Sequence, residues 1–278
     1  MYVLRPIEVD AERARAAVAA RGSVRQQARL AGVLGAPAPD RGVVAELERL
    51  QNADGGFPEG DEPGAPSSVG ATCRVLAQLR QMPPLAGSPM ASRAVSYLRR
   101  CQEFDGSWRL GREEIALTAW AAYTICIQDP THTDPPSRAS AWLRRRLSQG
   151  DAAAELPSRV LAMVWALWVA LHGQADPEAR RVFGILDRRE MAASDLALWL
   201  LLAMEVGAGG AYLLPLARRL GELAALQQPD GLWPAAGGDP VETTLTALWA
   251  FRLSGLIQEG ESGGGVGSGR AEGTGGPG

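Results

Sequence analysis

Histidine is scarce in this chain of 278 residues, which has two: His132 in a Pro/Thr loop and His172 at the end of an apolar run. Neither falls in a ligand cluster, so a zinc site has no support in the sequence. Cysteine is nearly as rare, at three (Cys73, Cys101 and Cys126). An odd count at no metal-like spacing reads as reduced thiols and predicts a cytoplasmic location. No charge of one sign accumulates: the net charge is -3, with acids and bases interspersed. That excludes the clustered basic face a nucleic acid requires. The longest apolar run, 160–171, falls short of the roughly 20 residues that cross a bilayer, and residues 1–15 show no apolar signal core. No glycine-rich phosphate loop, nucleophile elbow or metal cluster is legible, so no metal and no cofactor are expected.

Alternating β-branched runs are also missing, while Ala, Leu and Arg recur at helical spacing. The chain therefore reads as all-α. Two short helices are predicted first, near 10–20 and 23–34. Five helical hairpins follow: 41–51 with 67–81, 89–102 with 113–127, 137–148 with 157–172, 177–189 with 192–206, and 214–228 with 240–256. First members of each pair carry one polar face, as around Arg144, Arg145 and Arg146. Second members are apolar on nearly every side, and such helices must be enclosed by others. A half-wet outer ring around a buried inner ring fits both patterns. The expectation is a single-domain α/α toroid over residues 1–257, six helices inside and six outside (an α6-α6 barrel). A Gly/Ser-rich tail, 258–278, is expected to be flexible.

A short phrase recurs between the paired helices. It reads Gln51-Asn52-Ala53-Asp54-Gly55-Gly56-Phe57, then Gln102-Glu103-Phe104-Asp105-Gly106-Ser107-Trp108, then Gln228-Pro229-Asp230-Gly231-Leu232-Trp233. Self-similarity at this spacing marks copies of one supersecondary unit. Glycine after the aspartate permits a left-handed turn. The aspartate can bond free N–H groups near the next helix start, the aromatic can wedge against a neighbouring helix, and the glutamine can bridge to the adjacent repeat. The phrase is expected to be structural.

This phrase resembles the QW motifs of squalene–hopene and oxidosqualene cyclases, and is similar to the GGF-type repeats of protein prenyltransferase β subunits. The resemblance spans about residues 43–256. It implies an α/α barrel with a central cavity for an isoprenoid or similar hydrophobic small molecule. Class II cyclases of this kind start a carbocation cascade from the central aspartate of an Asp-x-Asp-Asp-Thr-Ala signature. Here Asp239-Pro240-Val241-Glu242-Thr243-Thr244 matches the outer acids, with Val241 at the donor position. A second partial match starts at Glu114.

Acids gather where the apolar helices begin: Glu113 and Glu114, Glu155, Asp195, and Asp239 with Glu242. A carboxyl buried at such a mouth would have a raised pKa and could act as a general acid. The plain alternative is helix capping, the better fit for Glu113, Glu114 and Asp239. The catalytic candidates are Glu242, Asp239 and Asp195. Trp120, Trp165, Trp168, Trp199 and Trp249 fall on apolar helices and, with Glu114, are the substrate-binding candidates. Aromatic faces stabilise cations, although tryptophan equally fills the gap between helix layers. Two functions fit: a cyclase-like enzyme performing redox-neutral, acid-initiated chemistry, or a non-catalytic barrel binding a lipid or a partner protein. A glycan-active toroid is a third, needing two facing carboxylates. Peripheral membrane contact is compatible with either leading reading, and the oligomeric state stays open.

Overall fold

The computed structural model describes residues 7–35, 41–60, 62–109, 113–148 and 151–257; the Gly/Ser-rich tail lies outside the described residues. The chain is all-α. Two helices come first, α1 (Ala11–Arg21) and α2 (Val24–Val33), separated by Gly22 and a capping box in which Ser23 and Gln26 satisfy each other's backbone N–H groups. Five pairs follow. α3 (Arg41–Leu50) precedes α4 (Val69–Arg80), with the short α5 (Pro83–Ala86) after it. α6 (Pro89–Arg100) precedes α7 (Glu114–Gln128). α8 (Asp134–Leu147) and the short α9 (Ala152–Glu155) precede α10 (Ser158–His172). α11 (Pro177–Asp187) precedes α12 (Ala193–Glu205). A 3-10 turn leads into α13 (Leu213–Ala225), which precedes α14 (Pro240–Leu253).

Every predicted helix is present, with shifted ends. α8 begins at Asp134 rather than 137, because Pro135 and Pro136 occupy its first turn, where backbone N–H groups have no partner to lose. α5, α9 and a two-residue strand pair, β1 (Phe57–Pro58) against β2 (Ser67–Ser68), were not expected. They are too short to give a periodic signal.

The two classes of helix bury different amounts. In α10 all residues from 160 to 169 are buried, whereas α6 buries one face, including Met90, Ala94, Val95 and Leu98. The apolar helices touch in the order α4, α7, α10, α12, α14, and α14 then packs on α2. Among the described residues no helix is long and apolar enough to cross a membrane.

The phrase builds the same joint three times. Asp54, Asp105 and Asp230 each accept the backbone N–H two residues on, from Gly56 (2.9 Å), Ser107 (3.0 Å) and Leu232 (3.1 Å). The aspartate thus closes its own turn rather than reaching the next helix start, as the sequence suggested. In Asp105 the Ser107 hydroxyl and backbone N–H, aided by Arg109, hold the carboxyl down at about 2. The backbone N–H of each aromatic donates to a buried threonine on the following helix: Phe57 to Thr72, Trp108 to Thr118, and Trp233 to Thr244. The indole N–H groups of Trp108 and Trp233 donate to the Leu98 and Leu223 carbonyls of the preceding helix (2.8 and 2.6 Å).

The glutamine bridges repeats as expected. Gln51 donates to the Met90 carbonyl at the start of α6, and Gln102 to the Pro135 carbonyl at the start of α8. In the last copy the bridging residue is Gln227, not Gln228. It bonds the Gly231 carbonyl within its own turn and both backbone groups of Asp10 at the start of α1. Three residues separate glutamine from glycine in the first two copies, and Gln227 keeps that spacing in the last.

Candidate functional site

The starts of α10, α12 and α14 open on one cavity of about 290 Å³. α10 contributes Arg159; α12 contributes Ser194, Asp195 and Leu198; the segment from Ala235 to Gly238 forms another wall; α14 contributes Asp239, Glu242, Thr243 and Thr246. The three acids singled out as catalytic candidates therefore share one cavity. Their settings differ.

Asp239 is the N-cap of α14. One carboxylate oxygen accepts the Val241 N–H at 2.9 Å and the other accepts the Gln26 side chain at 2.6 Å. Val241, at the position where a class II cyclase keeps its proton donor, is buried in the core. Glu242 accepts from Gln26 at 2.9 Å and from Arg29 at 2.6 Å. Arg29 is itself buried and donates from Nε to Gln81 beyond α4. Partial burial opposes ionisation of Glu242, but the Arg29 charge and the Arg29 and Gln26 hydrogen bonds outweigh it, and the carboxyl sits below its ordinary range. Glu242 is therefore an anion at neutral pH, the opposite of the raised pKa expected for a buried mouth acid. Asp195, in the first turn of α12, is half-buried and has no hydrogen-bond or ion-pair partner among the described residues.

The aromatic candidates divide into two groups. Trp165, Trp168 and Trp199 have no exposed surface. Trp165 packs on Phe183 of α11 (5.6 Å between ring centroids), on Tyr212 (5.7 Å) and edge-on to Trp199 (6.4 Å). Arg144 lies 5.0 Å over Trp168, and Arg219 lies 5.7 Å over Trp199. These rings fill the space between apolar and amphipathic helices and present no face to a ligand. Trp120 and Trp249 are half-buried. Trp249 lies on one stripe of α14 with Glu242 and Thr246, at i, i+4 and i+7, which places it about 10 Å further along the helix. Glu114 lines no part of this cavity; it pairs with Arg109 (3.2 Å) and Arg146 (3.7 Å).

Beyond Trp249 lies a cluster that sequence reasoning missed. Arg80, the last residue of α4, donates to both oxygens of Glu205, the last residue of α12, at 2.6 Å each. The Tyr123 hydroxyl of α7 donates to the same carboxylate. Arg80 lies 5.7 Å from the ring centroids of both Tyr123 and Trp249. Arg80 and Glu205 retain only 11% and 7% side-chain exposure, so the pair ties four apolar helices together in a nearly dry setting. Burial first, and then the charge on Glu205, push the Tyr123 phenol well above its ordinary range. The sequence signal was a base at the last position of α4 and an acid at the last position of α12.

The remaining donor residues form no metal site: among the described residues no three His, Cys, Asp or Glu side chains cluster. His172 meets the Ser140 hydroxyl at 3.0 Å, and burial lowers its pKa. His132 sits on Asp129 in a loop. No protein-family model matches this chain, and no curated protein sequence matches it.

Proposed function

We propose that the helices close into a single-domain α/α toroid and that this barrel binds a small molecule at its mouth without turning it over. The inner six helices would be α2, α4, α7, α10, α12 and α14; the outer six would be α1, α3, α6, α8, α11 and α13. The order of contacts from α4 round to α2 supports closure. So does the seam between α2 and the end of α4, where Arg29 bonds Gln81 and a Cβ on Gly32 would stand 2.0 Å from the Gln81 carbonyl oxygen. The third phrase supports it again by tying the end of α13 to α1.

The observation that carries the binding reading is the state of Glu242. Acid-initiated chemistry needs a protonated donor at the mouth. This mouth has a valine at the donor position and, next to it, a carboxylate ionised by a buried arginine. Deeper along α14, below Trp249, the nearly dry Arg80–Glu205 pair crosses between the apolar helices. The three unpaired thiols favour the cytoplasm.

A second reading keeps the cyclase chemistry that the phrase resembles, with an isoprenoid as substrate. One observation favours it: Asp195 faces the cavity unpartnered and is the acid left free to act. Native mass spectrometry of protein purified from its producer, followed by incubation with linear polyprenyl substrates, separates the two. Under the binding reading a small molecule is retained, is recovered unchanged, and falls at least tenfold in a cavity-filling Leu198→Trp variant. Formation of a cyclised isomer that Asp195→Asn abolishes at unchanged melting temperature would install the cyclase reading instead. Equal retention by wild type and Leu198→Trp would remove the mouth as the binding site.

A further inference from the structure

We infer that the mouth cavity recognises a small zwitterion of the α-amino-acid class, with the ligand's carboxylate on Arg159 and its ammonium on Asp195. This assignment rests on the binding reading above and adds the chemistry of the ligand. Five charged side chains bear on the cavity: Arg159 from α10, Asp195 from α12, Asp239 and Glu242 from α14, and Arg29 of α2 behind Glu242. Three of them are spent within the protein. Asp239 is held by the Val241 N–H and Gln26, and Glu242 is neutralised by Arg29. Arg159 and Asp195 line the same space, yet neither has a hydrogen bond or ion pair to any described residue, including each other. Among the described residues the cavity therefore presents one free cation and one free anion, on separate helices.

A ligand with one group of each sign completes both. A bare anion would satisfy Arg159 and leave Asp195 unmatched. A bare cation would leave Arg159 unmatched, and a hydrocarbon would leave both. Arg159 belongs to the first turn of α10, and a helix start favours negative charge. Size agrees: 290 Å³ is the space of about ten waters at roughly 30 Å³ each, enough for a molecule of about that many heavy atoms. Leu198, Ala235 and Ala236 give the cavity apolar lining for a modest side chain, and Thr243 and Thr246 line it as well.

Isothermal titration of the full chain with each standard α-amino acid tests the assignment. At least one is expected to bind. Its N-acetyl derivative, which lacks the ammonium, and its carboxamide, which lacks the carboxylate, should each bind about tenfold or more weakly, as loss of a charge-assisted hydrogen bond requires. Asp195→Asn should weaken the amino acid by a similar factor and leave the N-acetyl derivative unaffected; Arg159→Gln should do the same for the carboxamide. Both side chains reach solvent, so melting temperatures should hold, which separates lost recognition from lost folding. Binding indifferent to both substitutions overturns the assignment. Binding of a polyprenol or fatty acid with no response to any amino acid overturns it too, while the binding reading survives. No binding of either class removes both.

Discussion

Three of the five helix pairs carry the Asp-Gly phrase and two do not, yet all five turns are held. Where the phrase is present, the turn is fixed by directional bonds inside itself, and the loop supplies a buried aromatic. Phe57, Trp108 and Trp233 are fully buried, and both indole N–H groups are bonded. In the third and fourth pairs the loop has no aromatic to offer. Tryptophans on the apolar helices fill the space instead, and the Nε1 groups of Trp165, Trp168 and Trp199 find no hydrogen-bond partner among the described residues. The loops are clamped from outside. Arg189 donates to the Ala154 and Leu156 carbonyls of the third turn, and Arg219 donates to the Leu186, Asp187 and Arg189 carbonyls of the fourth. One architecture thus uses two chemistries. Local hydrogen bonding serves where the phrase survives. Arginines from neighbouring elements reach the phrase turns too, Arg100 to the Asp54 carbonyl, Arg138 to Gln102 and Arg13 to the Pro229 carbonyl, and they are the clamp that remains where the phrase has decayed.

The largest test of that contrast is at glycine. Gly231 has φ of 90°, and a Cβ there would meet the Arg13 carbonyl carbon and oxygen at 2.6 Å. Gly231→Ala should cost about 1–3 kcal/mol in backbone strain and a further roughly 1–3 kcal/mol in forced displacement. Gly173, at the end of α10, has φ of 81° with nothing within 4 Å. Gly173→Ala should show only the strain. Equal losses in urea titrations would mean that the phrase glycines are not close-approach sites.

A smaller difference is expected at tryptophan. Trp108→Phe and Trp168→Phe remove the same ring volume from fully buried positions, but only Trp108 loses a hydrogen bond. Trp108→Phe should be the more destabilising by about 0.5–1.5 kcal/mol. The reverse order would show that the unbonded indoles contribute more through packing and the overlying arginine than the bonded ones do through their N–H. The smallest effect separates neighbours. Gln227→Ala should lose up to about 1 kcal/mol of stability and Gln228→Ala close to none, because of the two glutamine side chains Gln227 is the one that bonds α1. Matching melting temperatures for the two would contradict that register.

The same contrast explains what could be read in advance. The phrase is contiguous, so its turn, its glutamine bridge and its flanking helices were visible as sequence pattern. Arginine clamps act across about thirty residues and look like any wet helix face. The buried threonines were hidden in another way. Thr118 stands at the threonine position of the partial signature that starts at Glu114, and Thr244 stands one residue past the threonine of the other, yet each accepts the backbone N–H of the preceding aromatic, as Thr72 does for Phe57. Part of the apparent signature is therefore a repeat-joining device.

By itself the sequence determined the helices, their pairing and the two kinds of face, because hydrophobic periodicity and turn chemistry act over a few residues at a time. It also brought attention to Asp195, Asp239 and Glu242 as one set. Only the tertiary structure decided what those acids are. Gln26 and Arg29 lie more than two hundred residues away along the chain, and their arrival turns Glu242 into a bound anion while leaving Asp195 free. A carboxyl's charge depends on who stands beside it and how much water is left, and neither is written in local sequence.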